Sequence, residues 1–359
     1  LSGGDYDVTI TDDNGCILNS NSNTINEPLA LDETTTTSDV SCSGGSDGSI
    51  NIVVTGGTAP YDFSWTGTAN GSQNDAILAD GGNYSITPLA DGNYAVTITD
   101  DNSCQIVANT TIFDPQPLTV SISSKTDVSC NALSDGTATA TAGGGTLPYD
   151  YSWSNGQNTL NTISTTNSVS SLSAGLISVT VTDGNGCSLS DNETITEPTA
   201  VSASMGVPTM VLCNGGSDGS VAVTGSGGTV SGDYTYTWSD GQNTATATGL
   251  VAGSYTVTVK DDNNCQTIAG PVTITEPNVL SQINSTNDVC CNGGSDGSID
   301  IVVSGGTAPY DISWTGTANG TQNNAIINDG GNYSISSLGD GNYSVTIRDN
   351  NNSVPKIQP

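Results

Sequence analysis

The chain contains no histidine, only four basic residues, and no apolar run longer than four residues. Each shortage removes a class of function. Without histidine, Ser–His and Cys–His nucleophile pairs and His-containing zinc sites cannot be built. Four Lys and Arg against 36 Asp and Glu give a formal net charge of −32. Such a surface repels nucleic acid and anionic membrane, both of which are held through basic residues. The longest apolar runs, Ala76 to Ala79 and Met210 to Cys213, are far too short to span a bilayer. Neither nucleic-acid binding nor membrane insertion is therefore expected. No signal peptide is visible and the opening reads as the middle of a repeat, so the segment is expected to be cut from a longer exported protein.

What is present is repetition. The phrase L-x-x-G-x-[Y/I]-x-V-T-[I/V]-x-D recurs from Leu1, Leu89, Leu172, Leu250 and Leu338. A second phrase, a cysteine followed by S-D-G, a β-branched run, a Gly pair and an aromatic strand, starts at Cys42, Cys130, Cys213 and Cys291. A third marker is acid–proline: Glu27-Pro28, Asp114-Pro115, Glu197-Pro198 and Glu276-Pro277. The second phrase recurs at intervals of 88, 83 and 78 residues. These spacings predict a partial repeat over 1–28 holding two final strands, then repeats over 29–116, 117–199, 200–278 and 279–359. Residues 42–99 and 291–348 align without gaps at 45 identities in 58, which suggests blocks of three repeats.

The apolar pattern has period two. In Tyr61-Asp62-Phe63-Ser64-Trp65 the aromatics share one face, and Val8/Ile10, Val96/Ile98 and Val257/Val259 mark a second half-buried strand. Sustained helical spacing is absent from the sequence. Strands separated by Gly, Asn and Asp clusters predict an all-β fold: tandem Ig-like, seven-stranded β-sandwich repeats in an elongated array. Trp65, Trp153, Trp238 and Trp314 are expected in the cores. Tyr94, Tyr255 and Tyr343 follow the L-x-x-G approach in the manner of a tyrosine corner, a pattern that Ile177 interrupts in one repeat.

The run S-D-G-S-I…G-G-T-A-P-Y-D-x-S-W, the L-x-x-G-x-Y-x-V-T phrase with its D-x-[NG]-x-C ending, and the Glu-Pro marker together resemble the SprB repeat. That repeat occurs in giant surface adhesins of gliding Bacteroidetes and in related secreted proteins. The resemblance covers essentially the whole chain. It implies type IX secretion, display on the cell surface, and a role in adhesion or gliding.

Nine cysteines occupy fixed places in the repeats, with Cys290 extra and no C-x-x-C pair. Export together with regular cysteines favours disulfides. Three pairings compete. One lies within repeats (Cys42–Cys104 and its equivalents), and one spans the linkers (Cys16–Cys42 and its equivalents), which counting alone favours. The third joins the first-loop cysteine of one repeat to the turn cysteine of the next, Cys42–Cys187 and Cys130–Cys265. In an Ig-like unit the two cysteine positions lie at opposite ends. A ten-residue strand is about 33 Å long and bridged Cα atoms lie within about 7 Å, so topology favours the third set. Cys213 then faces Ser353.

The aspartates of the same loops, Asp47, Asp135 and Asp218 against Asp183, Asp261, Asp262 and Asp349, allow calcium at the junctions. Ordinary turn chemistry is the competing explanation. A stalk or filament segment is the expected function, with neighbouring repeats, and lateral self-association in a filament, as partners. Direct binding of polysaccharide or an extracellular surface by the loops after the tryptophan, 67–87 and 316–336, is the alternative. A carboxylate glycosidase would need two acids across a cleft, and no Glu recurs outside Glu-Pro, so no catalytic residue is expected.

Overall fold

The computed structural model describes residues 1–353, and within them all regular structure is β. Strands β1 (Gly4–Tyr6), β2 (Thr9–Thr11), β3 (Ile17–Asn19) and β4 (Asn23–Ile25) form a lone hairpin, β1 pairing with β4 and β2 with β3. Repeat 1 holds β5 (Asp32–Ser38), β6 (Gly48–Thr55), β7 (Tyr61–Thr66), β8 (Gly71–Ile77), β9 (Asn83–Leu89), β10 (Gly92–Asp100) and β11 (Gln105–Ile112). Its antiparallel sheets run β5-β6-β9 and β11-β10-β7-β8. Repeat 2 holds β12 (Thr119–Thr126), β13 (Gly136–Gly143), β14 (Tyr149–Trp153), β15 (Asn158–Thr162), β16 (Thr166–Leu172), β17 (Gly175–Thr182) and β18 (Ser188–Ile195). They are ordered β12-β13-β16 and β15-β14-β17-β18.

Repeat 3 holds β19 (Ser202–Met205), β20 (Gly219–Ser226), β21 (Thr235–Trp238), β22 (Thr246–Leu250), β23 (Gly253–Lys260) and β24 (Gln266–Ile274). Repeat 4 holds β25 (Ser281–Asn287), β26 (Gly297–Ser304), β27 (Tyr310–Thr315), β28 (Gly320–Ile326), β29 (Asn332–Leu338) and β30 (Ser344–Arg348). The chain forms two compact bodies, residues 1–127 with 134–195, and residues 128–133 with 196 onward.

The sandwich follows from the alternation. Along β6, Ile50, Ile52 and Val54 are fully buried and the residues between them are not. They meet Tyr61 and Phe63 of β7 and Val96 and Ile98 of β10 in one core. Burial of each such side chain stabilises by about 1.5–3 kcal/mol. The last strand seals the core with one isoleucine. A Cβ placed on Gly48 would lie 2.8 Å from Cγ2 of Ile112, and the pairs Gly136/Ile195 and Gly219/Ile274 repeat this at 3.0 and 2.9 Å. The glycine of S-D-G is thus fixed by the side chain that lies on it.

Seven strands occur in repeats 1 and 2 only. Repeat 3 lacks the fourth strand, because its shorter segment after Trp238 leads directly into β22. Repeat 4 has the first six among the described residues. Where the fourth strand exists it pairs with the third, β8 on β7, and not with the fifth. The expectation of half-buried Val8 and Ile10 is also corrected: they are 50% and 59% exposed, because their hairpin has no facing sheet among the described residues.

Candidate functional site

At or just after the end of the sixth strand each repeat has an aspartate that is nearly inaccessible: Asp100, Asp183, Asp261 and Asp349 are 3–5% exposed. Their carboxylates hold the following turn. Oδ1 of Asp183 accepts the N–H of Asn185 (3.0 Å) and of Cys187 (2.8 Å), and Oδ2 accepts the N–H of Thr146 (2.8 Å). Asp261 does the same with Asn263, Cys265 and Thr229, and Asp349 with Asn351, Ser353 and Thr307. At Asp100 burial opposes ionisation, but N–H groups of Cys104, Thr58 and Asn102 outweigh it and hold the carboxyl below its ordinary value.

The turn so built presents an asparagine and, two residues on, a cysteine or serine. Asn185 Nδ2 donates to the Ser41 carbonyl at 3.0 Å, and Cys187 is bonded to Cys42 with Cα atoms 5.7 Å apart. Asn263 Nδ2 donates to the Ser129 carbonyl at 2.9 Å, and Cys265 is bonded to Cys130 with Cα atoms 5.6 Å apart. Between repeats 3 and 4, Asn351 Nδ2 donates to the Leu212 carbonyl at 2.8 Å, and the Ser353 hydroxyl meets the Cys213 thiol.

The receiving loop is held from two sides. Asp47 accepts the N–H and hydroxyl of Ser41, which lowers its carboxyl below the ordinary range, and Asp218 accepts the Leu212 N–H. Asp135 occupies the matching position after Cys130. From the other side comes the acid of the acid–proline marker. Asp114 accepts from Ser43 Oγ and Gly44 N, Glu197 from Ala132 N, and Glu276 from Gly215 N. The recurrence of the marker was visible in the sequence; its function as a loop clamp was not.

The structure therefore brings together Cys42 with Cys187 and Cys130 with Cys265, and it does not join Cys42 to Cys104 or Cys16 to Cys42. Cys16, Cys104, Cys290 and Cys291 are exposed thiols. The junction aspartates are engaged as hydrogen-bond acceptors. Asp183, Asp261 and Asp349 are engaged by turn N–H groups, Asp47 and Asp218 by loop N–H groups, and Asp262 by Ser231 N and Oγ (both 2.7 Å). Among the described residues no group of three His, Cys, Asp or Glu side chains converges on a common point.

The aromatic residues divide. Trp153 and Trp238 are buried, but Trp65 and Trp314 are only half-buried, lying against Gly71 and Gly320 of the edge strands β8 and β28. The tyrosine corner is present: Tyr94, Tyr255 and Tyr343 donate to the carbonyls of Ala90, Val251 and Gly339 at 3.0, 3.0 and 3.2 Å. Tyr94 and Tyr255 are buried, while Tyr343 is half-exposed. In repeat 2, Ile177 fills this place as a buried apolar residue. No helix of the described chain is long and apolar enough to cross a membrane.

No curated protein matches the chain. Among solved structures it is similar to a 1.5-MDa bacterial ice-binding adhesin (16% identity, 67% of this chain and 96% of that one, TM-score 0.36). It is also similar to a Ca2+-stabilized adhesin with which an Antarctic bacterium binds ice (15%, 89% and 96%, TM-score 0.36). A third likeness is to invasin, a bacterial integrin-binding protein (16%, 90% and 77%, TM-score 0.31). At such TM-scores the fold assignment rests on the strand order described above. The family model of the SprB repeat matches residues 34–70, 122–158, 206–243 and 283–319, which is the first-to-third-strand region of repeats 1, 2 and 4 and the second and third strands of repeat 3. The chain carries four SprB repeats in tandem.

Proposed function

We propose that the chain is a non-enzymatic stalk or filament segment of a bacterial cell-surface adhesin, exported by the type IX route and spacing adhesive parts from the cell during attachment or gliding. One observation supports this reading most. The same loop-and-turn contact recurs, and at Cys42–Cys187 it joins successive repeats covalently. A bond across a junction removes swinging freedom that a simple linker would leave, which suits a part that carries load. The net charge of −32 keeps such fibres soluble. Negative-stain images of the intact chain, with and without reductant, test it. The oxidised chain should give a narrower spread of end-to-end lengths, and identical spreads would refute a stiffening function.

A second reading, direct recognition of carbohydrate or a surface by the loops after the tryptophan, is favoured by Leu78 and Ile327. These lie 76% and 69% exposed at the same place of repeats 1 and 4. A glycan array separates the readings. Silence supports the stalk, and binding lost in Leu78→Ser with Ile327→Ser supports recognition.

A further inference from the structure

We propose that the two disulfides make repeats 1 to 3 one load-sharing unit, in which three segments of the chain run in parallel between two covalent nodes. Cys42 is bonded to Cys187 across 145 residues, and Cys130 to Cys265 across 135. Cys130 lies inside the first loop and Cys187 inside the second, so the loops overlap and neither encloses the other.

The overlap fixes the number of tethers. The first node is the Cys42–Cys187 bond and the second the Cys130–Cys265 bond. Between them the chain runs along residues 42–130, along 130–187 in reverse, and along 187–265, over 88, 57 and 78 residues. Bridges closed within single repeats, or across single linkers, would stand in series and leave one path from each to the next.

Each tether draws on a different repeat. The first contains β6 to β11 of repeat 1 and then β12, the second β13 to β17 of repeat 2, and the third β18 followed by β19 to β23 of repeat 3. In the folded chain the acid–proline clamps hold the first and third tethers short. Asp114 ties the end of repeat 1 back to the Cys42 loop through Ser43 Oγ and Gly44 N, both at 3.0 Å. Glu197 ties the chain after β18 to the Cys130 loop through Ala132 N at 2.6 Å.

Only the 16 residues from Asp114 to Cys130 and the 10 from Cys187 to Glu197 then span from one node to the other. At about 3.6 Å per residue they reach roughly 60 and 35 Å, against about 200 Å for the tether through repeat 2. Repeat 2 therefore cannot unravel to its full length unless the clamps break and repeats 1 and 3 give up chain as well. A pull on the chain ends is divided among three tethers, and the nodes separate only when all three yield.

Stretching the full chain between its ends in optical tweezers tests this. The inference deepens the stalk reading, but the measurement is separate from it: contour length counts tethers, whereas the images probe stiffness. If the lengths below hold and the images show no stiffening, the stalk reading falls and the tethers stand. Along the shortest covalent path, at about 3.6 Å per residue, the oxidised chain should draw taut at about 700 Å, against about 1,300 Å in reductant. Cys42→Ser with Cys187→Ser should lengthen the taut chain only to about 800 Å, because the remaining bridge still closes most of the loop, and Cys130→Ser with Cys265→Ser should do the same. These lengths follow from covalent connectivity and are read equally well if a variant is unfolded. Before it is taut, the oxidised chain should separate its nodes in one event, at a higher force than any repeat needs in reductant. A gain of about 300 Å or more from one pair of substitutions, the sign of separate loops, would overturn the proposal. So would repeats 1, 2 and 3 opening in the oxidised chain as the same separate events seen in reductant.

Discussion

The junction between repeats 1 and 2 and the one between repeats 3 and 4 are built from corresponding parts and differ most in the residue that ends the turn. Both have a buried aspartate holding a turn, and an asparagine reaching from that turn to a loop carbonyl, at 3.0 Å in the first and 2.8 Å in the second. At the end of the turn the first has Cys187, bonded to Cys42, and the second has Ser353, whose hydroxyl meets the Cys213 thiol. The loops meet equally well without the bond. The disulfide therefore locks an arrangement that turn geometry and hydrogen bonds have already made, and the aspartate is the more general requirement.

This comparison can be broken at several points. Replacing Cys42 and Cys187 together by Ser opens a cross-link spanning 145 residues. The chain-entropy account gives a loss of about 5 kcal/mol, read from chemical unfolding. Cys213→Ser at the other junction should change stability by less than about 0.5 kcal/mol, the range of a substitution that breaks no bond. Asp183→Ala strips acceptors from three N–H groups and should cost roughly 3 kcal/mol. Asp349→Ala should cost a similar amount although no disulfide is near it; a much smaller loss would mean that the sulfur, and not the aspartate, organises the junction.

Ser353→Cys sharpens the comparison from the other side. A third bridge to Cys213 should form on oxidation and add about 2 kcal/mol, seen as a higher melting temperature and one fewer free thiol. The smallest effect expected is none. Because the junction aspartates are engaged by N–H groups, melting curves with and without chelator should coincide, and a fall with chelator would restore the calcium reading.

Much of this was legible in the sequence, for physical reasons. Period-two alternation marked β7 and β10 because each buries one face, and the L-x-x-G-x-Y phrase marked the tyrosine corner because its geometry needs that spacing. The phase of the cysteines followed from placing the two loops at opposite ends of a sandwich. The fourth strand was not legible in its pairing, since most of β8 is exposed and carries no alternation that would name a sheet. Nor did the sequence separate Trp65 from Trp153, because both stand at the same place of the third strand and differ only in what packs around them. The aspartates were singled out with two readings open, calcium and turn chemistry. Acid next to Asn and Gly reads equally as a metal loop or a turn, and the N–H donors around Asp183, which supply the turn chemistry, come from positions that only the fold brings together.

The central claim is that the first-loop cysteine of one repeat is bonded to the turn cysteine of the next. Non-reducing peptide mapping after cleavage at Asp and Glu tests it most directly. The account predicts linked peptides containing Cys42 with Cys187 and Cys130 with Cys265, with Cys16 and Cys104 alkylated as free thiols. A peptide linking Cys42 to Cys104, or Cys16 to Cys42, would contradict it.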